Sequence, residues 1–89
     1  MTAERLKTFS KRNQLLFLMS EFERARVWQE KGGGEFMGAL ERGLELIDLM
    51  LADPKWREDS LAPLTLRNEL AKYYIGERKD SIAALSRAL

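Results

Sequence analysis

Three consecutive glycines, Gly32 to Gly34, interrupt a chain of 89 residues whose sequence otherwise has a helical pattern almost throughout. No Gly or Pro precedes them, and Thr2 can cap a helix over residues 2–31. About 28 residues of helix at 1.5 Å per residue would be about 42 Å long. Glycine adopts left-handed backbone conformations at no steric cost, so the three glycines predict the turn of an antiparallel helical hairpin. They can also serve as a hinge for domain swapping, the less favoured alternative.

Three further helices are predicted after the glycines. They cover residues 35–52, 61–75 and 80–89. Asp53-Pro54 ends the first of these because proline cannot donate the next helical hydrogen bond, and Ser60 and Asp80 cap the other two. The predicted fold class is all-α: residues 1–89 form a single domain, a small helical bundle of three longer helices and one short C-terminal helix in consecutive antiparallel hairpins.

One stretch of the second helix resembles part of a known repeat. GEFMGALERGLELID has the spacing of the second half of a tetratricopeptide repeat through Gly34, Phe36, Ala39 and Leu40. A fainter copy follows the second glycine turn, 42 residues further along, whereas the repeat has 34 residues. The first-helix positions of the motif do not match. The resemblance therefore implies a helix-turn-helix unit and not membership of the family.

The first predicted helix is apolar on two sides. One strip contains Leu15, Leu18, Met19, Phe22 and Ala25, and the opposite strip contains Leu6, Phe9, Leu16, Phe17, Val27 and Trp28. The second helix is about 18 residues long and covers only the part near the glycines, so Leu6 and Phe9 lie beyond its reach. Either other helices of the chain or a second copy must cover them.

Self-association through this helix is the favoured hypothesis. A short chain has a small core, and with no Cys and no His it lacks disulfides and the usual zinc ligands. We therefore expect the chain to form a homo-oligomer, namely a dimer, or a complex with another protein, or both. The residues expected at the interface are Leu6, Phe9, Leu16 and Val27, with Trp56 and Tyr74 as lesser candidates.

Two local patterns are given structural interpretations. Gly43, on the apolar face of the second helix, indicates a close approach to the first helix. Tyr73 and Tyr74 are adjacent on a helix, which predicts one ring in the core and the other at its rim.

The composition argues against an enzyme. No Ser-His, Cys-His or metal-ligand constellation exists, so we expect no catalytic residue, no cofactor and no metal. Glu41, Glu45 and Asp48 lie opposite the apolar face of their helix and are expected on a solvated surface. The favoured function is a non-enzymatic protein-protein interaction module: an adaptor, a chaperone-like protein or a regulatory subunit.

The alternative function is a small nucleic-acid-binding regulator. It would use the basic N-terminal half of the first helix, with Arg5, Lys7, Lys11 and Arg12. Fifteen Lys and Arg against fourteen Asp and Glu give a formal charge of +1, which makes nucleic acid the less favoured partner. The longest apolar run has five residues, Leu15 to Met19, so neither a signal peptide nor a membrane span is expected. A cytoplasmic location is the expectation.

Overall fold

A computed structural model describes residues 3–87, which form an all-α bundle. The helices are α1 (Ala3–Lys7), α2 (Lys11–Lys31), α3 (Gly34–Ala52), α4 (Leu61–Tyr74) and α5 (Ala83–Arg87), with a 3₁₀ turn at Pro54–Trp56. Helix α3 lies between α2 and α4 and packs against both, and α5 packs against α2. The molecule measures 35 × 22 × 20 Å. No helix among residues 3–87 is long and apolar enough to cross a membrane.

The prediction of one continuous helix over residues 2–31 is wrong. The chain bends between α1 and α2, where the hydroxyl of Thr8 donates to the carbonyl oxygen of Arg5 at 2.6 Å. Ser10 is extended, with φ −64° and ψ 162°, and its Oγ accepts a hydrogen bond from the amide of Asn13 at 3.2 Å. Serine competes for backbone donors in this way and favours a helix start. The predicted cap Thr2 lies outside the described residues.

The glycines form the turn of the α2–α3 hairpin. Gly32 has φ 76° and Gly33 has φ 105°, both in the range that favours glycine, and Gly34 is the first residue of α3. The core between the two helices is formed by Leu18, Phe22 and Ala25 from α2 and by Ala39, Leu40, Leu46, Ile47 and Met50 from α3. The bounds of α3 differ from the prediction by one residue.

Gly43 permits a close helix contact, although the nearest neighbour differs from the prediction. A Cβ atom at this position would lie 2.9 Å from Cδ2 of Leu70 on α4, and 3.9 Å and 4.0 Å from side-chain atoms of Phe22 and Leu18 on α2. Leu70 is fully buried. The lack of a side chain at Gly43 therefore allows the closest approach from α4 and a less close approach from α2.

The C-terminal helix is shorter than the predicted residues 80–89. It spans Ala83–Arg87, and residues 88 and 89 lie outside the described chain. Asp80 is not its cap, because α5 begins three residues later and the amide of Ala83 donates to Oγ of Ser81 at 3.3 Å. The carboxylate of Asp80 accepts from Arg78 at 2.7 and 3.0 Å. The segment before α5 is attached to α2 through Gln29, which donates to the carbonyl oxygen of Asp80 and accepts from the amide of Ile82, both at 2.8 Å.

Candidate protein-interaction surfaces

The outward side of α2 has an exposed apolar surface. Leu16 is 49% exposed and Phe17 is 39% exposed. The ring of Phe17 lies 4.9 Å from the ring of Phe9 between centroids, at an interplanar angle of 50°. Asn13 and Ser20 line the same groove. Phe9, Asn13, Leu16, Phe17 and Ser20 are together named the α2 surface.

A cleft of about 130 Å³ extends the α2 surface toward α3. Its lining residues are Phe17, Glu21, Arg42, Glu45, Leu46 and Leu49. The carboxylate of Glu21 accepts from Arg42 at 3.1 Å and from Arg24 at 2.9 Å. Charged side chains thus border the aromatic pair, which is the arrangement of an apolar centre and a polar rim found in protein interfaces.

Leu6 and Trp56, two of the six predicted interface residues, are buried within the chain. Leu6 is 0% exposed and Trp56 is 3% exposed, so the prediction that they face a partner is wrong. Leu6 is covered because the bend after α1 turns it into the core. Trp56 is covered because its indole Nε1 donates to Oε1 of Gln14 on α2 at 2.6 Å.

Gln14 contacts three segments of the chain. It was not among the candidate residues identified from the sequence. Its side chain is 0% exposed. Its Nε2 donates to the carbonyl oxygens of Leu6 and Phe9, each at 3.2 Å, and to Oδ2 of Asp53 at 3.0 Å. Gln14, Asp53 and Trp56 are named the polar clasp. Because every buried polar side-chain atom of the described chain has a partner, the clasp carries no unsatisfied group.

The carboxylate of Asp53 is charged inside the clasp. Burial raises its pKa, but hydrogen bonds from the amide of Lys55 at 3.0 Å and from Gln14 lower it by more, assisted by the Lys55 ammonium at 3.3 Å. The net pKa is below the usual value of an aspartate. The same ammonium donates to the carbonyl oxygen of Lys7, so Lys55 also holds the end of α1.

Neither Val27 nor Tyr74 lines the groove of the α2 surface. Val27 is partly buried. Tyr74 is 38% exposed, and its hydroxyl donates to Oε1 of Glu41 at 3.1 Å, which raises the pKa of the phenol. Tyr73 is 4% exposed, so the prediction of one tyrosine in the core and one at the rim is confirmed. The six predicted residues therefore do not form one surface: only Phe9 and Leu16 belong to the α2 surface.

A second surface with exposed apolar side chains lies on α4 and on Ile75, the residue that follows it, and it was not predicted from the sequence. Leu61 is 76% exposed, Leu64 44% and Ile75 65%. Together with Asn68 and Ala71 they are spaced by three, four, three and four residues, which places all five on one side of a helix. The opposite side contributes Pro63, Leu66, Leu70 and Tyr73 to the core. Leu61, Leu64, Asn68, Ala71 and Ile75 are named the α4 stripe.

The basic residues near the N-terminus do not share one helix. Arg5 and Lys7 lie on α1, whereas Lys11 and Arg12 lie on α2 beyond the bend. The ammonium of Lys11 pairs with Asp59 and lies 5.0 Å from the ring centroid of Trp56. The continuous basic helix proposed for nucleic-acid contact is thus divided, and Lys11 is engaged with the chain itself.

The carboxylates of α3 are exposed, and two of them have partners on α4. Glu41 accepts from Tyr74, and Asp48 accepts from Arg67 at 2.6 Å. Glu45 borders the cleft beside Phe17. Within residues 3–87 no three His, Cys, Asp or Glu residues are placed so that they could hold a metal ion.

Comparison with known proteins gives no match: no protein family, no curated protein and no solved structure matches the chain. The resemblance of residues 34–48 to a tetratricopeptide helix therefore stays a likeness in spacing. Both candidate surfaces rest on the geometry of this chain.

Proposed function

We propose that the protein is a small non-enzymatic protein-protein interaction module, an adaptor, a chaperone-like protein or a regulatory subunit, that self-associates as a dimer through the α2 surface. The observation that carries this proposal is the exposure of Leu16 and Phe17 beside the Phe9 ring. Burial of a large apolar side chain is worth about 1.5–3 kcal/mol, so covering this surface stabilises the pair that covers it.

The composition of the α2 surface supports a contact with a second protein molecule. Aromatic residues are enriched in protein interfaces, and the two phenylalanines already pack on each other before any partner arrives. Asn13 supplies a side chain that can donate and accept, whereas the hydroxyl of Ser20 donates to the carbonyl oxygen of Leu16 at 3.1 Å and offers a partner only its oxygen as an acceptor. A twofold contact uses the same surface on both copies, which is the commonest symmetry of soluble oligomers.

The test compares the mass in solution of the wild-type chain with that of Leu16→Glu. Sedimentation velocity should show self-association of the wild type that Leu16→Glu weakens, because a carboxylate at the centre of the contact is desolvated without a partner. Met37→Glu is the matched control, since Met37 is 36% exposed on α3 outside both surfaces. Equal unfolding midpoints by circular dichroism establish that both variants keep the fold. An unchanged mass for Leu16→Glu contradicts the proposal.

Nucleic-acid binding through Lys7, Lys11 and Arg12 is the alternative proposal, and it has less support because Lys11 pairs with Asp59. It predicts salt-sensitive retention on heparin that falls when the three residues are neutralised together. We also propose a cytoplasmic location.

A further inference from the structure

We infer that the site on α2 and α4 that holds residues 80–85 is a peptide-binding groove, closed by the chain's own segment and able to take a segment of the same pattern from a different protein. The pattern is a short non-helical stretch followed by isoleucine and, three residues later, leucine. The site is named the C-terminal groove, and residues 80–85 are named the resident segment. The inference does not depend on the proposed contact through the α2 surface, which uses other residues.

The C-terminal groove holds the backbone of the resident segment by side-chain hydrogen bonds. Gln29 on α2 donates to the carbonyl oxygen of Asp80 and accepts from the amide of Ile82, both at 2.8 Å. The hydroxyl of Tyr73 on α4 donates to the carbonyl oxygen of Ser81 at 3.2 Å. These three bonds reach only main-chain atoms, so they do not select a residue type. In peptide recognition, bonds to the main chain give affinity, and pockets for side chains give specificity.

Two buried side chains of the resident segment give the groove its selectivity. Ile82 is 0% exposed and Leu85 is 3% exposed, and both belong to the buried apolar cluster. Ala83 and Ala84 between them are small and partly buried. Burial of large apolar side chains is the main favourable contribution to such a contact. An incoming segment therefore needs large aliphatic residues at two positions three apart.

The resident segment is attached separately from the contacts among the three long helices. Helix α3 packs against both α2 and α4, so these contacts do not pass through α5. Helix α5 has five residues, too few to be stable by itself, so its structure depends on the groove. Residues 75–77 before it are exposed, and Gly76 has φ 82°. A terminal element attached in this way opens locally at a lower free energy than the whole fold.

Arg78 keeps the resident segment in its own groove. Its guanidinium donates to both carboxylate oxygens of Asp80, at 2.7 and 3.0 Å, and to Glu69 on α4 at 3.0 Å. It also lies 4.9 Å from the ring centroid of Tyr73. In a second copy the same bonds hold that copy's segment, so the segment that is free to enter belongs to a different protein. The tether gives the resident segment a high effective concentration, which an incoming segment has to exceed.

Binding of a synthetic peptide tests the groove. The peptide has the sequence of residues 77–87 and an N-terminal fluorophore, and fluorescence anisotropy measures its binding to the full chain. Ile82→Asp in the chain should release the resident segment, because a carboxylate is costly in a buried site, and should leave the groove itself intact. This variant should bind the peptide at least about tenfold more tightly than the wild type, whose groove is available only in the open fraction of molecules. Equal affinities, or no binding to an Ile82→Asp chain that circular dichroism shows to be folded, overturn the inference.

Gln29→Ala in the Ile82→Asp chain tests the hydrogen bonds to the backbone. It should weaken peptide binding at least about tenfold, because two hydrogen bonds are lost. Asn68→Ala, which removes an exposed amide from the outward side of α4, is the matched control and should leave the affinity unchanged. Equal effects of the two substitutions overturn the inference.

Hydrogen exchange of the wild-type chain tests the opening without any substitution. The amide of Ile82 donates to Gln29, so it exchanges when the resident segment leaves the groove. Its protection should be at least about tenfold lower than that of the amide of Ile47, which is fully buried on α3. Equal protection would show that the segment leaves only when the whole chain unfolds, which overturns the inference.

Sedimentation velocity distinguishes the source of the incoming segment. The α2 surface is disabled in Leu16→Glu, so this chain should be a monomer. A Leu16→Glu dimer that disappears in Leu16→Glu/Ile82→Asp would show that a second copy supplies the segment, and would overturn its assignment to a different protein. Failure of the proposed function appears separately, as a Leu16→Glu chain with the mass of the wild type.

Discussion

The indole nitrogen of Trp56 donates a 2.6 Å hydrogen bond to Oε1 of Gln14, across 42 positions of the sequence. The same glutamine side chain donates to the carbonyl oxygens of Leu6 and Phe9. One buried amide thus fixes the bend between α1 and α2 and the position of the 3₁₀ turn after α3. Removal of this amide leaves several buried polar groups without partners, and such groups are costly.

Gln14→Ala should therefore destabilise the protein by about 3 kcal/mol, from lost hydrogen bonds and an incompletely filled space. Urea denaturation at neutral pH measures this change. Arg12→Ala is the matched control, because Arg12 is exposed on the same helix, two residues before Gln14, and lies outside both candidate surfaces. It should change the free energy of unfolding by less than about 0.5 kcal/mol. Equal losses in the two variants would show that the clasp does not hold the fold.

Gly43→Ala should destabilise the protein although alanine favours helices. The new Cβ would lie 2.9 Å from Cδ2 of the buried Leu70, and overpacking of a core costs about 1–3 kcal/mol, more than the gain of up to about 1 kcal/mol in helix propensity. In a Leu70→Ala background the obstacle is gone, so the same substitution should be stabilising. A double-mutant cycle by thermal denaturation checks the reversal of sign, and the same sign in both backgrounds would refute this explanation of the glycine.

Gly33→Ala and Gly34→Ala should have opposite effects on stability. Gly33 has φ 105°, where an L side chain is strained, and this substitution should cost about 1–2 kcal/mol. Gly34 is helical and has open space where a methyl group would lie, so alanine there should be neutral or stabilising. Chemical denaturation of the pair provides the measurement. If Gly33→Ala has the stability of the wild type, the turn does not require a residue with positive φ at position 33.

The polar clasp should lose stability in acid. The native carboxyl of Asp53 has a lowered pKa, so it binds a proton less readily than in the unfolded chain, where the value is near 3.8. Its contribution is present above that value and is lost as the pH falls through the lower native pKa. Asp53→Asn should be less stable at neutral pH and should have a shallower decline below about pH 4. Urea midpoints across this range test it.

The other carboxylates provide the reference for that comparison. Glu69, whose pKa is lowered chiefly by a hydrogen bond from Lys72, and Asp80, whose pKa is lowered chiefly by Arg78, are present in both proteins. Their contributions cancel in the difference between the wild type and Asp53→Asn. Identical acid slopes for the two proteins would show that Asp53 does not carry the effect.

The sequence was sufficient to predict the fold class and the α2–α3 turn because their signals are local. Glycine and proline act on the backbone within a few residues, and the bounds of α3 followed from Gly34 and Asp53-Pro54. The bend at Ser10 was missed because no Gly or Pro marks it. Its stabilising partners, Asp53 and Trp56, are distant in the sequence, so only the tertiary structure brings them to Gln14.

The candidate surfaces were predicted in part. Leu16 and Phe9 were identified from the two-sided pattern of the first helix, whereas the burial of Leu6 and Trp56 depends on the bend and on the clasp. Two signals were present in the sequence but unused. Gln14 is in line with Leu18, Phe22 and Ala25 at helical spacing, which indicates a buried amide. The three-four spacing from Leu61 to Ile75 likewise marks the α4 stripe.

The absence of a side chain at Gly43 also affects how closely α4 and α2 pack on α3. Atoms of α4 and α2 approach it from two sides, Leu70 at 2.9 Å and Phe22 at 3.9 Å from a hypothetical methyl group. Both outer helices pack on α3, and the absence of a side chain at Gly43 determines how closely each can approach α3 near this point. A larger residue at this position would therefore displace α4 from α3 before it displaced α2, because Leu70 is the nearer neighbour.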